Sequence, residues 1–447
     1  MQIITLEKEE FDKLAENSKY ESYFQTSNYA ELQLDNGFDV HYLGFTDDDN
    51  NLIGGAMCLY KKLFWQYSYA YIPRGLLIDY DNPYLVNRLT TKLKKLLYKQ
   101  NFIFVKIDPP IIVSERDKDG KVLYSSNTIK NILNTLNANN YNHLGFNLYY
   151  ETKLPRWNLI IKLNNDIKAM YNSFDENIKE NLRKAQQNAI ILKEDTIGDI
   201  DTFHEFIKSA YGRINKKYLD NLYKIFSKDN KIDILYTVLN TQQFVTNANK
   251  LYNAEEEKNR SLANIISGND SYKYDIQKVI SDKMISDKNL HAYKKDIVAS
   301  TEFLKKYPDG KILATSLIIK HKKGIDCLMF HEDPDFVSYN GGHLLIYEML
   351  KKYANLNYKY LNLGPATGNF DKKSTYYKKI VNKLGFNTTI MEYIGEFDLI
   401  VNPLMYKVYQ YKQNKEKKNK NKKWLSIIQS FFLIPLLVHH YYEELVQ

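Results

Sequence analysis

The chain has 447 residues, 44% hydrophobic and 14% aromatic, which excludes a disordered protein and exceeds what one core usually supports, so two or three domains are expected. Its 62 basic and 53 acidic residues give a net charge of +9. The two cysteines, Cys58 and Cys327, lie in apolar strand-like runs, which leaves no disulfide framework and no metal site to argue and fits a reducing cytoplasm. The N-terminal MQIITLEKEEFDKL carries acids and lacks the apolar run of a secretory signal, so a cytoplasmic location is expected.

In chain order, residues 24–30 open a helix ending near Gly37, and strands at 40–46 and 52–60 follow, joined by the acidic turn 47–51. Residues 69–79 are an apolar run broken at Pro73-Arg74-Gly75, 85–98 have helical periodicity, and 102–107 read as a buried strand stopping at Asp108-Pro109. The second half repeats this order. Strands are expected at 312–320 and 325–331, a helix at 342–353, and a strand at 358–363 that stops at Gly364-Pro365. Two copies of one α/β unit are therefore expected. Between them the spacing of Phe244, Ala248, Leu251, Leu262 and Ile265, and then of Ile276, Ile280, Lys283, Leu290 and Ile297, predicts an antiparallel helical hairpin with a weak, partly polar seam and a turn at Gly268-Asn269-Asp270.

The stretch 361–397 places a lysine-rich helix between two apolar strands, with Lys383 near the helix end beside Gly385, where backbone can approach a substrate closely. From 407 to 423 there are eight lysines and one glutamate, a net +7, followed by the uncharged WLSIIQSFFLIPLLV of 424–438. That run falls short of the roughly 20 apolar residues a spanning helix needs and reads as an interfacial membrane anchor or as a docked C-terminal helix.

Three pieces in that order, Pro365-Ala366-Thr367-Gly368-Asn369-Phe370, Asn382-Lys383-Leu384-Gly385-Phe386-Asn387 and Glu392-Tyr393-Ile394-Gly395-Glu396-Phe397, resemble the C-terminal signature of the Fem family of peptidoglycan-bridge aminoacyltransferases (FemA, FemB, FemX, MurM). Earlier motifs are similar too: the 25–38 stretch, Tyr71-Ile72-Pro73-Arg74-Gly75, Val105-Lys106-Ile107-Asp108-Pro109, Gly145-Phe146 after His143, Pro155-Arg156-Trp157, and Asn181-Leu182-Arg183-Lys184-Ala185. The likeness spans most of 20–410. It departs at Pro365, at Asn382 where Phe is usual, at Gln33 where many members have an acceptor-contacting lysine, and at Lys179 where arginine is common.

The resemblance implies an α/β (α+β) fold of two tandem GNAT-like (acetyltransferase) domains, 1–155 and 156–405, with an antiparallel coiled-coil arm at 240–301 in the second and a basic, apolar tail at 406–447. It associates such an arm with FemA-like members rather than with FemX; contact with tRNA, dimerisation and spacing remain open as roles for the arm. The implied reaction moves Gly, Ala or Ser from aminoacyl-tRNA to the stem-peptide lysine of lipid II or UDP-MurNAc-pentapeptide, with no cofactor beyond the tRNA co-substrate, in the cytoplasm; a peripheral position at the inner membrane face and a homo- or hetero-dimer with a paralogue stay open.

Such a transfer needs a neutral amine, a donor for the oxyanion and a path for the leaving proton. An acceptor lysine, with an ordinary pKa of about 10.4, must be desolvated or set beside a carboxylate to lose its proton. The resemblance gives Lys383 the oxyanion. Asp108, at the end of a buried strand, is a candidate proton acceptor or a strand-end cap. Lys179, Arg183 and Lys184 form a basic cluster suited to a phosphate-bearing ligand, Arg74 to a carboxylate or diphosphate, and Gln33 marks an acceptor-side position. Two alternatives stay open. An acetyl-CoA-dependent GNAT enzyme is disfavoured because Ser338-Tyr339-Asn340-Gly341-Gly342-His343 lacks the spacing of a pyrophosphate loop; a non-catalytic tRNA- or precursor-binding homologue fits Gln33 and Asn382.

Overall fold

The apolar runs of the first half form strands bounded by turn and cap residues. The computed structural model describes residues 1–194, 200–211, 214–268 and 275–419. The chain opens with β1 (Gln2–Thr5), α1 (Lys8–Asn17) and α2 (Ser27–Leu34), the last capped by Thr26, which accepts from the Tyr29 N–H. Strands β2 (Asp39–Thr46), β3 (Leu52–Phe64) and β4 (Tyr67–Ile72) are antiparallel. Helix α3 (Pro83–Lys99), with proline at its first position and Asn82 as its cap, returns the chain to β5 (Phe102–Ile107), parallel to β4. Then come β6 (Ile112–Arg116), β7 (Val122–Ser125), α4 (Ile129–Ala138) and β8 (Tyr141–His143).

The second half runs β9 (Trp157–Lys162), α5 (Ile167–Asn172), α6 (Glu176–Gln187), β10 (Ile190–Glu194), α7 (Ile200–Tyr211), α8 (Lys216–Ser227) and β11 (Ile232–Leu239). The long helices α9 (Thr241–Ser267) and α10 (Ile276–Lys306) follow, then β12 (Lys311–Lys320), β13 (Gly324–Glu332), α11 (Gly341–Asn355) and β14 (Tyr360–Ala366). The described chain ends with α12 (Thr375–Leu384), β15 (Thr389–Tyr393), β16 (Phe397–Ile400) and α13 (Pro403–Asn419).

Two sheets result, in the orders β1-β2-β3-β4-β5-β16-β8 and β10-β11-β12-β13-β14-β9-β15-β6-β7. The repeated unit is present, but its register is one strand later than expected in the first half. The run beginning at Tyr69 belongs to β4, which leads into α3 and pairs parallel with β5, as β13 leads into α11 and pairs with β14. The equivalent of β12–β13 is therefore β3–β4, and the α9–α10 arm stands between β11 and β12 where the first copy has only the turn 47–51.

A cut at 155/156 does not separate the sheets. β6 and β7 add to the second sheet, while β16 sits between β5 and β8 in the first. The apolar run ending at Phe397 splits at Gly395, whose φ of +99° lets the chain turn from β15 in one sheet to β16 in the other. The strand expected to stop at Gly364-Pro365 instead runs on to Ala366 through a register shift against β9.

The arm spans 241–306 rather than 240–301, and its seam is partly polar: Asn259 Nδ2 donates to Ser286 Oγ (3.2 Å) and Asp287 Oδ1 (2.8 Å), and Ser286 and Ser300 are fully buried in it. Asn269 and Asp270 of its expected turn, and the 424–438 run, lie outside the described residues. Among the described residues no helix is long and apolar enough to cross a membrane. A continuous apolar cluster joins first-half residues such as Phe11 and Leu32 to Leu219, Leu222 and Phe226 of α8. Asn28 also bonds Ile225 O (3.2 Å) and Asp229 (3.1 Å), so the halves meet through packing and matched polar groups.

Candidate functional site

β13 and β14 pair from Gly324↔Tyr360 to Asp326↔Asn362 and then part, whereas the equivalent β4 and β5 stay paired from Ser68↔Phe102 to Ile72↔Ile107. The second module thus opens a V between its parallel strands. Gly364 (φ +97°) makes the bend, and Asn362 Oδ1 holds it by accepting from the Gly364 N–H at 2.9 Å. Lys383 reaches across the V from the last turn of α12. Its Nζ donates to Leu363 O of β14 (3.0 Å) and lies 5.1 Å from the ring centre of Phe330 on β13. Burial lowers its pKa, so the ammonium is a poorly hydrated charge whose field is little screened. Gly385 meets protein rather than substrate: a Cβ there would stand 2.5 Å from Ile178 Cγ1, so the glycine lets α6 close on the end of α12.

The start of α11, where a nucleotide cofactor's pyrophosphate would lie in a GNAT enzyme, is already occupied. Glu332 accepts from the Gly342 N–H at 2.9 Å, and a Cβ on Gly342 would meet the same carboxylate at 2.7 Å. Burial raises the Glu332 pKa, and an anion brought to this helix end would face the acid.

Between the modules, where the V narrows, lies a cavity of about 110 Å³, walled by residues of both halves, including Glu21, Phe24 and Arg74 from the first and Asp326, Asn362 and Tyr393 from the second. His321 is buried at its edge, with Glu21 Oε1 2.8 Å from Nδ1 and Asp326 Oδ2 3.0 Å from Nε2. Burial works against the imidazolium, but the two carboxylates outweigh it and raise the pKa to about 9.

Arg74 and Asp108 come together on this first-module wall. Asp108 is buried and accepts from the Arg74 N–H (2.6 Å) and the Tyr71 hydroxyl (2.8 Å). Burial is the main cause that raises its pKa to about 6. It holds Arg74 at φ +51°, a region a non-glycine residue seldom occupies, and the guanidinium then donates to Pro155 O (2.8 Å) and stacks 5.0 Å from Tyr393.

Lys179 pairs with Glu176 (2.8 Å) and Lys184 with Glu180 (2.7 Å) on α6, and Arg183 is exposed on the same helix. The helix is tied to the Lys383 segment by the Asp175 N–H bond to Gly385 O (2.9 Å). Gln33 is 7% exposed on α2 and accepts from Asn36 (3.3 Å), outside the cavity lining.

Several buried charged groups escaped sequence reasoning. Lys106 pairs with Asp398 (2.9 Å) and Glu396 (3.4 Å), pinning β16 to β5, and Arg156 pairs with Glu392. Lys153 lies 4.4 Å from the Tyr71 ring; burial, then the Lys106 charge, lowers its pKa to about 7. Glu392, Glu396 and Arg156 all stand within quoted motifs, a signal that assigned them no role. Glu21 and His321 are 300 positions apart and carried none.

The FemAB family model matches residues 6–414. The chain belongs to the FemAB family. It is 24% identical over 420 residues to aminoacyltransferase FemB of Staphylococcus epidermidis, covering 92% of this chain and 97% of that one. To a lipid II:glycine glycyltransferase of Staphylococcus aureus it is 22% identical over 419 residues, covering 92% and 95%. A crystal structure of FemX superposes with a TM-score of 0.73 at 20% identity, covering 91% of this chain and 99% of that one. The long helix pair is shared with that FemX, which corrects the expectation that separated the two by their arms. This FemAB protein is an aminoacyltransferase.

Proposed function

We propose that this FemAB protein transfers an aminoacyl group from aminoacyl-tRNA to an amine of a peptidoglycan precursor, with glycine as the amino acid and lipid II as the acceptor. The names of its relatives support that choice of donor and acceptor. The observation that carries the chemistry is the partly buried Lys383 ammonium spanning the open V of the second module. In this reading the ester carbonyl lies in the V, and Lys383 steadies the oxyanion as the amine attacks. The amine then loses its proton, the bond to the ribose oxygen breaks, and that oxygen leaves with a proton. No strong protein base is needed if the ribose hydroxyls relay it. Asp108 serves by holding Arg74 at the cavity, and the α6 cations meet substrate phosphate.

The experiment is to incubate the full chain with charged tRNAs and either lipid II or UDP-MurNAc-pentapeptide, and to weigh the products by mass spectrometry. Lipid II heavier by one glycine is the expected product. Acetylated product with acetyl-CoA would replace this reading with an ordinary N-acetyltransferase, against which Glu332 at the α11 end already speaks. No product with any donor would favour a binding protein. The tail's contribution is read by deleting residues from 412 onward: unchanged membrane association and lipid II turnover would remove it.

A further inference from the structure

The Glu21, His321 and Asp326 cluster has no part in the transfer chemistry just described, yet its two carboxylate residues, Glu21 and Asp326, line the intermodule cavity. Two carboxylates flank one imidazolium, an excess of one negative charge. Asp326 is oriented from both sides, Oδ2 toward His321 (3.0 Å) and Oδ1 accepting from Asn362 Nδ2 (2.7 Å). Glu21 uses Oε1 for His321, while its Oε2 is buried and has no hydrogen-bond partner among the described residues. A buried carboxylate oxygen left so is costly unless a donor arrives. The remaining wall is rich in aromatic rings, Tyr23, Phe24, Tyr360 and Tyr393, whose faces attract cations, and Arg74 stands at the same cavity against Tyr393.

We propose that Glu21 and Asp326, braced by His321, receive the α-ammonium of a small aminoacyl group. A cation supplies what Glu21 Oε2 lacks. The volume, about 110 Å³, admits a small polar head and little else. Because Glu21 comes from the first module and Asp326 from the second, the site exists only when the halves are packed. The group is the aminoacyl end of the donor or a glycyl end of the acceptor, and the chemistry is the same.

This deepens the proposed reaction, but its first test needs no turnover. Glycinamide, an ammonium beside a carbonyl, and N-acetylglycinamide, its uncharged counterpart, are titrated into the full chain by ligand-observed NMR. The site predicts binding of glycinamide alone, weakened about tenfold or more in Glu21→Gln and Asp326→Asn. Equal binding of the two probes, or unchanged glycinamide binding in folded variants, would overturn it. Should Asp326→Asn not fold, Glu21→Gln and the wild-type preference still decide.

The second test is kinetic. The variants should raise KM for aminoacyl-tRNA if the donor's end is held, or for the acceptor if the glycyl end is, with kcat changed far less. Unchanged KM for both substrates would sink the site while leaving the reaction standing. Absent transfer in the wild type would sink the reaction while leaving the probe result to stand.

Discussion

Asp108 is buried, Lys383 partly so, and both are ionisable and drawn from motif segments, but their surroundings divide their tasks. Lys383 has donors to spare: among the described residues its one hydrogen bond, to Leu363 O, engages one of three N–H groups, so the ammonium can receive a developing oxyanion in the V. Lys383→Met should therefore cut kcat about 10²- to 10³-fold with both KM values within about threefold, measured in single-turnover and steady-state assays. A matching rise in KM would make it a binding contact instead. Asp108 has its oxygens engaged by Arg74 and Tyr71. Asp108→Asn should lower stability by roughly 1–3 kcal/mol and raise KM more than it lowers kcat. Its folded pKa of about 6 lies above the ordinary carboxylate value, so its contribution is most favourable at low pH and declines as pH rises through about 6. Urea titrations at pH 4 and pH 7 should show the wild type losing stability relative to the Asn variant over that interval.

Among elements, β16 and the arm make opposite demands. β16 has four residues, yet it is an interior strand of the first sheet, bonded to β5 on one side and β8 on the other, and it supplies Asp398 to Lys106. A chain ending at residue 396 should leave two strand edges unpaired and Lys106 buried with part of its counter-charge gone. Loss of the cooperative thermal transition is the expected result, read by near-UV circular dichroism. The arm is the reverse case, for its ends lie side by side: Thr241 Oγ1 donates to Tyr307 O at 2.7 Å. Replacing 241–306 by a short Gly-Ser linker should keep the sheets intact and move Tm by only a few degrees. KM for aminoacyl-tRNA then reports whether the arm meets the tRNA, and an unchanged value assigns it to spacing or assembly.

For the whole molecule, the V, the cavity and the charge cluster all depend on how the halves pack, and His321 is a buried charged link between them. Its pKa, raised to about 9, lies above the ordinary value of 6.5. The stabilisation it brings is complete below about pH 6.5 and is lost as pH rises through about 9. His321→Gln should cost roughly 3 kcal/mol at pH 7, because it leaves two buried carboxylates facing a neutral amide. The penalty should shrink by pH 10, as denaturant titrations of both proteins at the two pH values would show; an equal penalty at both would mean that packing, not charge, joins the modules here.

The sequence by itself determined what depends on near neighbours and on period. Phe102–Ile107 was legible to the residue because five apolar positions, interrupted only by Lys106, run into Asp-Pro, and the α9–α10 pair because its three-four spacing persists over many turns. The motif resemblance carried the family and singled out Lys383. Tertiary structure alone decided where β16 pairs, that Gly385 admits Ile178, that Glu332 fills the α11 end, and that Glu21 reaches His321 across 300 positions. The physical reason is common to all four. A hydrophobic period is imposed residue by residue along one segment, whereas a buried charge or a close backbone approach gains its energy from a partner brought near only when separate segments pack.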